Sequence, residues 1–331
     1  MSDQEVDRPY DDRWKYTYEM LAALQSEIMY PPDYRRLDGA VDFHMHVGFG
    51  RIDPLAQLKL ASRAGMRGIV FKISQFPTVE MARIANQAVR DWAEREGVRP
   101  AEAFGGLVLG AMGGGINLRL ARRIIKIGGR VIWLPVLESA QHLERAVGRS
   151  SEDARRKGVY VLAGGRLIPQ VMELIKIVAD ADVALSLGHL GPEEMMAVAE
   201  EIDKAGFKKG FVDHPFNPPL QLSEQNLYDL AQAGLHLNWT MFELSQWCGV
   251  DPRAMARVTR KVGPDRVTLS TDAFVAVTPD SVEGMRLMVE TFRLFGFDDD
   301  EMRKMQGLNA CRLLGVEPYP LSGGGAAVSK A

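Results

Sequence analysis

Val41-Asp42-Phe43-His44-Met45-His46 is the stretch that decides the fold. Its apolar start reads as a β-strand, and in a strand positions i and i+2 face the same way. His44 and His46 therefore converge on one point, while Met45 turns to the opposite side. Neutral imidazole is a common ligand for divalent transition metals, and two held by one strand are pre-oriented for one ion. The chain has only six histidines, so a pair at this spacing is informative.

Short apolar runs recur from there on, at 41–47, 68–74, 104–110, 130–136, 183–189, 209–214, 235–240 and 266–272. Between them lie stretches of helical period, at 54–64, 81–96, 118–127, 169–180, 192–204, 224–233 and 252–262. Several open on proline, which suits a first helical turn, and Asn117 and Ser223 suit the N-cap. Eight nearly continuous apolar strands alternating with helices predict an α/β fold, a closed (β/α)8 TIM barrel. A doubly wound open sheet is the alternative, but no G-x-G-x-x-G follows the first strand.

The barrel is expected over 41–315, after an extension 1–40 with a helix over 14–29, and before a disordered tail at 316–331. The fourth connection, 139–166, is long. It is expected to carry a short β-hairpin insertion, with 159–162 turning at Gly164-Gly165 into 166–168.

A length of 331 residues, 46% hydrophobic and 25% charged, is that of an ordinary globular protein. A net charge of −3 without a basic stripe argues against nucleic acid as a partner. Cys248 and Cys311 are the only cysteines, which excludes a disulfide framework and fits a reducing compartment. The polar N-terminus lacks the apolar region of a secretory signal, and no apolar run is long enough to span a membrane. The expected location is the cytoplasm and the expected partner a small-molecule substrate, with homo-oligomer formation left open.

In a parallel barrel, the catalytic face is the ring of strand C-termini. His44 and His46 fall there on strand 1, Lys72 on strand 2, His189 on strand 5, His214 after Asp213 on strand 6, and Asp272 on strand 8. Singly, each has an ordinary alternative: a strand-end imidazole bonded to a carbonyl, a turn at His214-Pro215, an N-cap at Asp272. Together they must share one rim by accident. His142 and His236 lie off this register and read as structural.

The arrangement resembles the amidohydrolase superfamily of metal-dependent barrel hydrolases, and within it an uncharacterised group known only as a domain of unknown function. The resemblance rests on Asp42-Phe43-His44-Met45-His46, Gly188-His189-Leu190-Gly191, Asp213-His214, Leu269-Ser270-Thr271-Asp272 and the closing piece from Gly307 to Gly315. It implies that His44, His46, His189, His214 and Asp272 hold one or two divalent ions, zinc first, with manganese or iron as alternatives. It also implies a metal-activated water that cleaves an amide, cyclic amide or ester, with Asp272, His189 and His214 as catalytic residues. Non-oxidative decarboxylation of an aromatic or unsaturated acid, and phosphotriesterase- or lactonase-like hydrolysis, are the alternatives.

The chain departs from the binuclear pattern, which places a carbamylated lysine at the end of strand 4. Trp133 stands there instead, and Lys72 is the only lysine within a strand core. A lysine so placed must pair, deprotonate or react. It is open to three roles: a bridging carbamate that makes it a metal ligand, a grip on an anionic substrate, or an ion pair with Glu138 or Asp213. Arg51, Trp133, Asn217 and Trp239, at strand ends and in the loops that follow them, are the expected substrate contacts. Gly113-Gly114-Gly115 is either an anion cradle or a flexible connection.

Overall fold

The structure, a computed structural model, describes residues 34–48, 53–274 and 278–320. The helix expected over 14–29, Arg51 and the tail from 321 lie outside the described residues. Among those described, no helix is long and apolar enough to cross a membrane.

In chain order, β1 (Val41–His46) leads through α1 (Pro54–Arg63) to β2 (Gly68–Lys72), and α2 (Val79–Glu96) leads to β3 (Glu102–Phe104) and β4 (Gly106–Val108). After α3 (Leu118–Lys126) comes β5 (Val131–Trp133). The long fourth connection then holds α4 (Ala140–Arg145), α5 (Ser151–Lys157) and the two-residue strands β6 (Leu162–Ala163) and β7 (Arg166–Leu167), which pair antiparallel across Gly164-Gly165. The alternation resumes with α6 (Pro169–Asp180), β8 (Ala184–Ser186), α7 (Pro192–Lys204), β9 (Gly210–Asp213) and α8 (Glu224–Gln232). It ends with β10 (His236–Thr240), α9 (Pro252–Val262), β11 (Val267–Ser270), α10 (Ser281–Leu294), α11 (Asp299–Arg303), a π turn and α12 (Asn309–Leu314). Helix starts follow local chemistry. Pro54, Pro169, Pro192 and Pro252 open four of them, and Asn117 and Ser223 accept from the backbone N–H of Leu120 and Asn226.

Eight strand positions run parallel in the order expected of a barrel, but the sheet does not close as one continuous ladder. It divides into β1-β2-β3 and β4-β5-β8-β9-β10-β11. The break has a cause at Gly105, between β3 and β4. Thr78 inserts here: its Oγ donates to Phe71 O (2.7 Å) and accepts from Gly106 N (2.9 Å), and its N–H donates to Gly106 O (3.0 Å). A Cβ on Gly105 would lie 2.6 Å from the Val79 backbone, so only glycine admits this approach.

The other seam, between β11 and β1, is bridged at Met45 and Ala273 and by Asp272 N donating to His44 O (2.7 Å). Buried Asp42 pins it, accepting from Thr271 N (2.9 Å), Thr271 Oγ (2.6 Å) and Ser281 Oγ (2.7 Å). Asp42 can do this because β1 is bulged. The step from Asp42 to Met45 matches only Ile69 to Phe71 on β2, one residue fewer. The bulge breaks strict alternation. Phe43 packs in the barrel interior with Val70 and Phe211, and His44 follows it on the same side. That interior also takes Cys311 and Leu314 of α12 beside Val41, Val131 and Ala184 at the strand starts, which plugs the end opposite the histidines.

Candidate metal centre

Two histidines end β1, His214 directly follows β9, His189 lies three residues beyond β8, and Asp272 lies two beyond β11. Backbone strain helps to aim them. His214 (φ 35°) and Asp272 (φ 50°) are two of four non-glycine residues at positive φ among the described residues. Such strain persists only where the surroundings enforce it. Gly188 (φ 60°) completes the approach to His189, whose N–H donates to Pro135 O (2.9 Å).

Three donor atoms form a near-equilateral triangle. His44 Nε2 is 3.3 Å from His46 Nε2 and 3.3 Å from Asp272 Oδ1, and His46 Nε2 is 3.2 Å from Asp272 Oδ1. On the far side of the mouth, His189 Nε2 and His214 Nε2 stand 3.3 Å apart, and the His44 and His214 rings are 5.5 Å apart. Burial pushes His46 and His214 down to about 4, against the pull of Asp272. It pushes His189 well down too, helped by His214 and Lys72. These rings are therefore neutral at pH 7, each with one ring nitrogen able to accept or to ligate. Asp272 stays ionised: the nearby His44, His214 and His46 outweigh its burial.

The set fits a divalent ion. Ligand atoms around a tetrahedral zinc with bonds of about 2.0–2.1 Å stand about 3.3–3.4 Å apart. Asp272 Oδ1 is buried with no donor aligned on it. Buried polar atoms left so are rare unless something else meets them.

Asp213 is the residue behind the triangle. A second metal-like cluster joins His44, Asp213 and His214, but the carboxylate of Asp213 has no lone pair to spare. Its Oδ1 accepts from His44 Nδ1 (3.1 Å) and Asn238 Nδ2 (2.8 Å), and its Oδ2 from Trp133 Nε1 (2.8 Å) and Ser186 Oγ (2.8 Å). A carboxylate so placed holds the His44 proton on Nδ1 and leaves Nε2 free to ligate. Despite full burial, His44 and Lys72 keep Asp213 ionised well below the usual carboxylate range.

Five sequence readings change. Trp239 does not face substrate: it is fully buried on the outer side of β10, stacks on Phe216 and donates to Thr259 Oγ (2.9 Å) of α9. Its neighbour Asn238 takes the inward position, so alternation sends the indole out. Trp133 points inward but is only 1% exposed, so it anchors Asp213 instead of lining the mouth. Lys72 makes no ion pair with Glu138 or Asp213: no carboxylate oxygen lies within 4 Å of Nζ among the described residues, and Nζ stands 5.8 Å over the Trp133 ring. Glu138 instead accepts from Met112 N (3.3 Å) on the Gly113–Gly115 loop, which sets a carboxylate where an anion cradle would need none. His142 does reach the site, with its Nδ1 2.8 Å from His189 Nδ1. Asn217 is half-buried beside His214, to whose carbonyl its N–H donates (2.8 Å). His236, at the start of β10, is remote from the site in the ladder.

Asp213 had a signal in the sequence, its place before His214 at a strand end. His142 had none, because it comes from the long fourth connection.

Comparison with known proteins bears on the fold. Solved structures with the same fold include an amidohydrolase from Pseudomonas aeruginosa (15% identity, 85% of this chain and 97% of that chain, TM-score 0.59). A metallo peptidase from Rhodobacter sphaeroides, bound to a phosphinate mimic of L-Ala-D-Ala, is also similar (14%, 84% and 99%, TM-score 0.54). So is the phosphotriesterase from Mycobacterium tuberculosis (14%, 85% and 95%, TM-score 0.50). No curated protein matches the sequence. Residues 39–238 match the profile of a family of unknown function, DUF6282. The chain thus belongs to that family of unknown function, and it shares its fold with these solved structures.

Proposed function

We propose that this protein is a metal-dependent hydrolase of the amidohydrolase type, which cleaves an amide, cyclic amide or ester bond of a small, partly apolar substrate. The observation that carries the reading is the buried triangle of His44 Nε2, His46 Nε2 and Asp272 Oδ1, with sides of 3.2–3.3 Å. These three would hold the ion, with His189 or His214 completing the set. Zinc is the first choice for imidazole and carboxylate donors, with manganese or iron next. When bound, such an ion supplies Lewis acidity to water and to a scissile carbonyl or phosphoryl oxygen.

The chain's own groups do the rest. Asp272, ionised at neutral pH, accepts a proton from the attacking water and passes it to the leaving group. His214 faces the same space and, where His189 completes the set, donates from Nε2 to the oxygen that gains charge. Asn217, on the loop that follows His214, contacts the substrate. Lys72, buried with no carboxylate within 4 Å among the described residues, either takes an anionic substrate group or carries a carbamate when deprotonated. Burial lowers its pKa, and an anionic group beside it would offset that shift. An unpaired buried cation favours an acid as substrate, which supports a second reading, non-oxidative decarboxylation, on the same residues.

The test is metal analysis of protein purified without chelator, beside His46→Ala and Asp272→Ala, followed by a panel of amides, lactams, lactones, phosphotriesters and aromatic acids. About one divalent ion per chain is expected in the wild type and none in the variants, with turnover lost on chelation and restored by zinc. Two ions per chain support the carbamate on Lys72, and released carbon dioxide supports the second reading. Turnover indifferent to chelation, or a wild type that holds no ion, refutes the proposal.

A further inference from the structure

We infer that His142 fixes the tautomer of His189, keeping the His189 proton on Nδ1 so that its Nε2 lone pair faces His214 and the centre. The inference rests on the reading of this site as a metal centre for its consequence, but not for its geometry.

Two imidazole nitrogens 2.8 Å apart share one proton, which belongs either to His142 or to His189. The choice propagates along the row, because His189 Nε2 also stands 3.3 Å from His214 Nε2. Suppose His142 donates. The His189 proton then sits on Nε2 and points at His214 Nε2, which pushes the His214 proton onto Nδ1. That atom is buried and meets no acceptor, so an N–H is stranded in the core. Suppose instead that His189 donates from Nδ1. His214 then carries its proton on Nε2 and gives it to His189 Nε2, while His142 carries its own on Nε2. His142 is only half-buried, and its Nε2 is not among the buried atoms lacking a partner. Only the second arrangement strands no N–H of the row at an atom buried without a partner, and stranded buried donors are the rarer fault in proteins.

The helix that carries His142 is clamped to the loops it serves. Ser139, the N-cap of α4, accepts from His142 N (2.9 Å) while its Oγ donates to His189 O (2.7 Å). Gln141 Nε2 donates to Pro219 O (2.9 Å), on the loop that follows His214. The insertion thus supplies a positioning residue that no barrel strand provides. A His189 locked as Nδ1–H would offer its Nε2 lone pair to an ion without any shift of its own proton. Outer hydrogen bonds of this kind govern affinity for the ion.

The tautomer is read by long-range proton–nitrogen NMR on the full chain labelled with nitrogen-15 in histidine and stripped of metal, with His189→Gln used to assign the signal. His189 is expected as Nδ1–H in the wild type and in His142→Asn, whose side-chain oxygen can take the place of the ring Nδ1. In His142→Phe that preference is expected to vanish, and zinc affinity to fall roughly 10- to 100-fold, against a change within about threefold for His142→Asn. A wild-type His189 carrying its proton on Nε2, or a His142→Phe protein with the tautomer and zinc affinity unchanged, overturns the inference. A wild type that shows Nδ1–H yet takes up no zinc sinks the functional reading while upholding this one.

Discussion

Replacing Asp213 by asparagine tests the buried network beneath the centre. Asp213 accepts four hydrogen bonds, from His44, Asn238, Trp133 and Ser186, and is wholly buried. In Asp213→Asn one oxygen becomes an NH2 group, and its side is dictated by the neighbours. Asn238 cannot turn over, because its own Oδ1 accepts from Thr268 (2.9 Å) and Ser270 (3.0 Å). The new NH2 therefore faces Trp133 and Ser186. The serine hydroxyl can rotate and accept, but the indole N–H is left without a partner, at a cost of about 1–3 kcal/mol. The bonds that remain lose their charge assistance, worth about 0.5–1.5 kcal/mol each. With the His44 and Asn238 bonds both weakened, a total loss of about 2–6 kcal/mol follows. His44 keeps only a neutral acceptor, so zinc affinity falls roughly 10- to 100-fold.

Urea unfolding of metal-free protein reads the first quantity, and zinc competition with a chromogenic chelator the second. The pH dependence has a definite sign. A carboxyl held below its unfolded value stabilises the native state above about pH 4, and that stability drains away as the pH falls further. Asp213→Asn should lack this acid-side slope. A loss under about 1 kcal/mol with zinc binding unchanged would refute the claim that Asp213 orients His44.

Three other outcomes are expected. His236 is pushed down to about 4 by burial, so the unfolded chain takes a proton near pH 6.5 that the native chain refuses; stability should fall by about 3 kcal/mol between those values, and His236→Phe should remove that slope in urea titrations. In Gly188→Ala the new Cβ would lie 2.4 Å from Leu134 O and Pro135 O at a φ of 60°; a loss of at least ~2 kcal/mol and weakened zinc uptake are expected, and a variant of wild-type Tm would count against this account of the His189 turn. Trp239→Phe should cost about 1–2 kcal/mol through the lost Thr259 bond while KM on any substrate found stays within about twofold; a raised KM would return Trp239 to the substrate site.

By itself the sequence determined the alternation of eight strands with helices, and the rim on which His44, His46, His189, His214 and Asp272 gather. Both are written in local patterns: apolar runs, a two-residue spacing and polar residues at strand ends. Tertiary structure alone decided where β1 departs from alternation, so that Asp42 serves the seam while His44 serves the site. It also turned Trp239 toward α9, set Trp133 and Asn238 on Asp213, and brought His142 from a long insertion to His189. A pattern along one strand tells which side chains share a face, but not which distant backbone will satisfy them. A buried hydrogen bond is settled only when every competing donor and acceptor has been placed, and that happens when the sheet has curled and its helices have packed.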